Sequence, residues 1–155
     1  MSVTLTRAEA LETLWVMADR IRFAGVLPGT DLVVAEVTVP PGAGTPMHAH
    51  ASPELFRVMS GILDFETLED GARKVMRAGP GDVLRVAPQA PHGYANAGET
   101  PAEVLVVLDR TMEAFFREIG SPEPAQGPPG PEDFARIGAA CARHGIAFVE
   151  VPKAA

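Results

Sequence analysis

The chain has 155 residues, 46% of them hydrophobic, with 15 Gly and 15 Pro. One domain of this length buries about two thirds of the surface its unfolded chain exposes. A net charge of −7 opposes a phosphate-backbone partner, and no run approaches the ~20 apolar residues of a membrane span, so neither nucleic acid nor membrane is expected.

Thr6-Arg7-Ala8-Glu9 is suited to capping a short helical turn. Arg7, Glu9 and Glu12 interrupt the first apolar stretch, which therefore does not read as a signal peptide. Cys141 is the only cysteine and has no internal disulfide partner, so the expected location is the cytoplasm. Thr13–Met17 and Ile21–Phe23 are apolar and β-prone, and Pro28-Gly29-Thr30-Asp31 is a turn. Leu32–Val39 alternates, with Val33, Val37 and Val39 on one face and Glu36 and Thr38 on the other. Further strands are expected at Leu55–Met59, Ile62–Leu68, Arg73–Arg77, Val83–Val86, His92–Asn96 and Ala102–Leu108. Glu69-Asp70-Gly71 joins two of them as a hairpin. Many short strands punctuated by Gly and Pro predict an all-β barrel or double-sheet sandwich over residues 1–110.

Residues 111–155 change character and form a helical extension of the same domain. Thr111–Ile119 sets Met112, Phe115, Phe116 and Ile119 on one helical face, with Gly120 as the stop. Ser121–Pro131 holds five prolines, the last of which, Pro131, opens a second helix, with Glu132 and Asp133 in its first turn, Arg143 and His144 in its last, and Gly145 as its end. Phe134, Ile137 and Cys141 form the second stripe. Both helices are expected to pack on the outside of the barrel, with a lid or dimer arm as the alternative. Cys141 reads as a small core residue and His144 as a favourable charge at a helix C-terminus. Ile146–Val151 is a short extended tail.

The chemistry concentrates between Gly42 and Gly61. His48 and His50 share a face in an extended chain, and Glu54 keeps that parity, although Pro53 interrupts the strand between them. Two imidazoles and a carboxylate from one short segment make a partial ligand set for a divalent metal. His92 is the candidate fourth ligand. Arg57, of opposite parity, should leave the interior.

Gly42, His48, His50, Glu54 and Gly61 fall at the spacing of the first cupin motif, and Gly81, His92 and Asn96 in register with the second. The chain thus resembles the cupin superfamily, in particular its small single-domain, quercetin dioxygenase-like members. Two positions depart from the second motif: Ala87 stands where a proline is expected, with Pro88 following, and Gln89 replaces a glycine. Both lie in the turn before His92.

The resemblance implies a jelly-roll barrel with one divalent transition metal (Fe, Mn, Ni, Co, Cu or Zn) on His48, His50, Glu54 and His92, near the barrel mouth. It further implies a dioxygenase acting on a flavonol-like or other enolisable small molecule, with Glu54 also available as the catalytic base. A metal-dependent isomerase and a non-catalytic ligand-binding module are the alternatives. Phe56 and Val58 share the parity of Glu54, and Tyr94 and Asn96 that of His92, which makes them pocket candidates. Arg85 interrupts an apolar strand and either pairs with a substrate carboxylate or faces solvent. A homodimer is expected, because sandwich barrels leave sheet edges to cover.

Overall fold

The computed structural model describes residues 2–151. The ends of the two expected parts, residue 1 and residues 152–155, lie outside the described residues. A 3-10 turn, Ala8–Ala10, precedes ten strands: β1 Glu12–Val16, β2 Asp19–Val26, β3 Leu32–Val39, β4 Gly44–Ala49, β5 Glu54–Ser60, β6 Leu63–Glu69, β7 Ala72–Ala78, β8 Val83–Val86, β9 His92–Ala95 and β10 Ala102–Asp109. Two helices, α1 Arg110–Ile119 and α2 Pro131–Arg143, and a short strand β11 Ala147–Phe148 complete the chain.

The strands form two antiparallel sheets, ordered β1-β2-β3-β10-β5-β8 and β11-β4-β9-β6-β7. This is an all-β jelly-roll sandwich. The alternation of β3 and β10 builds the interior: Val33, Ala35, Val37 and Val39 bury on one strand, and Val104, Val106 and Leu108 on its partner. Each valine or leucine among them contributes about 1.5–3 kcal/mol when fully buried. The β6–β7 hairpin turns on Asp70 (φ 52°) and Gly71 (φ 78°), the left-handed pair that matches strand twist.

Two expectations change at the helices. Gly120 ends α1 in an extended conformation (φ −75°, ψ 158°), not a left-handed one. The helix stops there because Ser121 is captured by Trp15, its backbone N–H donating to Trp15 O at 2.9 Å and its carbonyl accepting from Trp15 N at 2.8 Å. On α2, Ile137 and Cys141 pack against the core, but Phe134 is 57% exposed. His144 caps α2 and its ring meets Glu118 Oε2 at 2.6 Å, so it serves a helix–helix contact as well as the helix end. The tail is ordered: β11 adds to β4, with Val149 N donating to Met47 O at 2.9 Å. Among the described residues no helix is long and apolar enough to cross a membrane.

Candidate metal centre

β4 and β9 lie side by side with His48 directly opposite His92. The register between them shifts after Thr45, a bulge at Pro46–Met47 of the kind that re-aims a side chain. The bulge brings backbone close to Gly93, where an added Cβ would meet Thr45 O at 2.7 Å and Met47 N at 3.1 Å. Only glycine fits beside His92. β4 ends at Ala49, and the chain crosses over residues 50–53 to the other sheet, where Glu54 opens β5. The parity of His48, His50 and Glu54 therefore does not run along one strand. A crossing between sheets, broken at Pro53, makes them converge.

His48, His50 and His92 are all buried, and one ring nitrogen of each lies within 4.8 Å of the others. His48 Nδ1–H donates to Pro46 O and His92 Nδ1–H to Ala90 O, both at 2.9 Å. Those bonds fix each tautomer and turn Nε2 inward, the outer support that metal-bound imidazoles need. Glu54 Oε2 stands 3.1 Å from His92 Nε2 and 3.5 Å from His50 Nε2. The second distance is too long for a well-formed hydrogen bond. Both His50 nitrogens are thus buried with no hydrogen-bond partner. Leaving a polar group in that condition costs about 1–3 kcal/mol. A divalent cation held by the three imidazoles would accept the His50 lone pair, so those residues fit a metal; Glu54 stands beside the cluster, against two of its rings, and not within it.

The electrostatics agree. Burial, reinforced by the His92 charge, holds His48 down to about 4, a neutral ring ready to donate its lone pair. Burial alone would raise Glu54, but contacts with the His50 and His92 rings outweigh it and keep the carboxylate at about 2. Burial would likewise lower His92, yet the Glu54 contact leaves it raised.

The departures from the second cupin motif leave the turn intact. Gln89 takes the left-handed conformation (φ 65°) that a glycine would adopt there, and its N–H donates to His50 O at 2.7 Å. The turn before His92 is therefore fastened to the ligand loop.

Beside the metal residues lies a cavity of about 200 Å³. His48, Glu54, His92, Phe56 and Tyr94 line it from the barrel. Met112, Phe115, Phe116, Ile119, Ile137 and Cys141 line it from the two helices. The helices expected to pack outside the barrel thus form part of the wall of its cavity. Phe134 and Phe148, each 57% exposed, also line it.

Three expected pocket residues lie elsewhere. Val58 faces inward but is fully enclosed in the core, away from the cavity. Asn96, 1% exposed, is structural: its amide donates to Val39 O at 2.9 Å and Thr100 O at 2.8 Å, and its Oδ1 accepts from Gly98 N at 2.9 Å. Arg85 faces solvent, since β8 pairs with β5 so that Leu84 and Val86 oppose the inward Phe56 and Glu54. Arg57 is exposed, as its parity required.

One residue that sequence reasoning passed over also lines the cavity. Asp19, at the start of β2, is 7% exposed, and Tyr94 donates its hydroxyl to Asp19 Oδ2 at 2.6 Å. Burial raises Asp19 to about 6 against the lowering effect of that bond. Burial, with the Asp19 charge, drives Tyr94 well above the ordinary phenol range, so it remains a neutral donor. The available signal was parity: Asp19 shares the face of the buried Ile21 and Phe23.

Comparison with known proteins fits this architecture. Residues 35–108 match the cupin domain family. No curated protein sequence matches the chain. Among solved structures, the polyketide cyclase RemF from Streptomyces resistomycificus superposes with a TM-score of 0.58 at 20% identity, covering 70% of this chain and 80% of its own. A sugar phosphate isomerase of the cupin superfamily from Silicibacter pomeroyi gives 0.58 at 23%, covering 69% and 76%. An RmlC-like cupin from Shewanella frigidimarina gives 0.59 at 21%, covering 74% and 96%. At these identities the similarity establishes the fold and no activity.

Proposed function

We propose that this cupin-domain protein is a metal-dependent enzyme acting on a compact, mostly apolar, enolisable molecule, with dioxygenation as the reaction. The observation that carries the reading is the buried donor set, above all His50, whose two ring nitrogens lack any other partner. Four protein ligands leave positions open on a five- or six-coordinate ion, which marks a catalytic rather than a structural site.

When bound, the metal supplies Lewis-acid stabilisation of an enolate oxygen. His48 and His92 hold their donor nitrogens inward through the Pro46 and Ala90 carbonyls. Glu54 presents an ionised carboxylate that can receive the substrate's enol proton at Oε2. Phe56, Phe115 and Phe116 provide an apolar surface and exclude water. The cavity is only somewhat larger than the ~150 Å³ engineered cavity that holds one benzene ring. That size favours a one-ring substrate over the three rings of a flavonol.

A second reading is isomerisation or cyclisation without oxygen. It draws on one feature, two carboxyl groups at the same cavity, Glu54 and Asp19, as proton transfer between two substrate atoms would use. Anaerobic reconstitution of untagged protein, followed by elemental analysis and oxygen-uptake measurements on one-ring enolisable compounds, tests both. One metal per chain and substrate-dependent oxygen consumption are expected. Turnover without oxygen uptake would favour the second reading. Less than about a tenth of an equivalent of any transition metal after reconstitution would end both.

A further inference from the structure

The buried carboxyl of Asp19 is not explained by a metal centre. An ionised carboxylate offers about four acceptor sites. The structure supplies one donor, the Tyr94 hydroxyl on Oδ2, and leaves Oδ1 buried with no partner. No cation answers the charge: the neighbouring Arg20 directs its NH2 group to Thr38 Oγ1 at 3.1 Å, and no ion pair reaches Asp19 among the described residues. A carboxyl so placed destabilises the fold, and a purely structural position would be better filled by an apolar side chain.

Met17, in the two-residue turn between β1 and β2, has φ 55°, the left-handed conformation that a two-residue hairpin turn requires. Met17, Asp19 and Tyr94 all line the same cavity as His48, Glu54 and His92. The remaining lining is dominated by aliphatic and aromatic side chains.

We propose that Asp19 is a substrate-binding residue: its carboxylate, positioned by the Tyr94 hydroxyl, accepts a hydrogen bond from a hydroxyl on the substrate. This rests on the metal-dependent reading above and narrows its substrate. The molecule carries metal-binding oxygens at one end, an apolar ring, and a hydroxyl donor remote from them. A neutral hydroxyl enters this apolar cavity at a smaller desolvation cost than an ammonium group does. Tyr94 is a positioning residue, since its hydroxyl donates to Oδ2 and holds the carboxylate against the cavity.

The test uses cobalt(II)-loaded protein under anaerobic conditions and two matched probe series. One series is 4-methyl-, 4-ethyl- and 4-propylcatechol, and the other carries a terminal hydroxyl on each chain. Binding is read by calorimetry, and cobalt content by elemental analysis of the same sample. In wild type, at least one hydroxyl probe should bind about tenfold or more tightly than its alkyl counterpart, as a hydrogen bond to a buried charge implies. In Asp19→Leu the preference should vanish or reverse. Asp19→Asn, of nearly the same shape, guards against misfolding of the leucine variant and should also lose most of it. Tyr94→Phe should weaken the preference.

A wild type without preference at any chain length overturns the proposal. So does a preference that survives in both Asp19 variants. Failure to take up cobalt overturns the metal reading and this proposal with it, whereas loaded protein that shows no preference overturns this proposal alone.

Discussion

Asp19→Asn should make the protein more stable at neutral pH, by an amount that disappears in acid. Burial moves the Asp19 carboxyl from its ordinary 3.8 to about 6. The native state then holds its proton to higher pH than the unfolded chain does. Between those two values the folded protein binds more protons, so stability falls as pH rises, and above pH 6 the loss is complete. Over about 2.2 pH units, at about 1.36 kcal/mol each, the native carboxylate costs about 3 kcal/mol at pH 7. Asparagine keeps the shape and an acceptor for Tyr94 but never ionises.

Urea unfolding of wild type and variant, both stripped of metal with chelator, measures this directly. The difference in unfolding free energy should grow by about 3 kcal/mol in favour of Asp19→Asn as pH rises, most of it between pH 4 and pH 7. Comparing variant with wild type cancels the titration of every other group. A difference that stays flat across this range would show that Asp19 is solvated or paired with a cation. A wild type that gains on the variant as pH rises would show a depressed carboxyl. Either result would refute a buried, uncompensated charge at Asp19.

Two further outcomes follow from the site and the sheets. In Glu54→Gln the three imidazoles remain, so metal should stay largely bound while substrate-dependent turnover falls by roughly a hundredfold or more, the usual consequence of losing a general base. Full activity with metal bound would show that Glu54 is neither base nor essential ligand. A homodimer is expected because β7 and β8 end their sheets, and β7 is exposed along all but its last residue. Light scattering that gives a monomer of 16.3 kDa at micromolar concentration would rule it out.

The cluster of buried histidines was legible because residue chemistry and local spacing coincide: His48 and His50 lie within one short stretch with Glu54, and His92 has its own turn. The bounds of β3 and β8 follow from alternation and flanking turns. Depth was not legible. Parity correctly turns Val58 inward but does not say whether an inward side chain meets the cavity or the core. Asn96 looked like a pocket residue because an amide beside a ligand strand can serve either a substrate or a loop, and only the Val39, Thr100 and Gly98 contacts decide. Arg85 depended on register: once Glu54 opposes Val86, Arg85 must point outward. Asp19 was missed because an acid directly after a two-residue hairpin turn reads as turn chemistry. Its partner Tyr94 lies 75 positions away.

The C-terminal part is more than cladding on a finished barrel. Asp109 caps α1 by accepting from Met112 N at 3.1 Å, and the same Oδ1 accepts from the hydroxyl of Ser52 at 2.8 Å. Ser52 lies in the crossing between His50 and Glu54, so the first turn of the helix is tied to the loop carrying two of the expected ligands. At the other end, β11 pairs with β4, with Phe148 opposite His48. The helical segment between these two attachments supplies much of the cavity's apolar wall. Shifting α1 would strain the Ser52–Asp109 bond, and releasing β11 would free an edge of the strand that holds His48. Cavity shape and the arrangement of His48, His50 and Glu54 are therefore set by the same contacts.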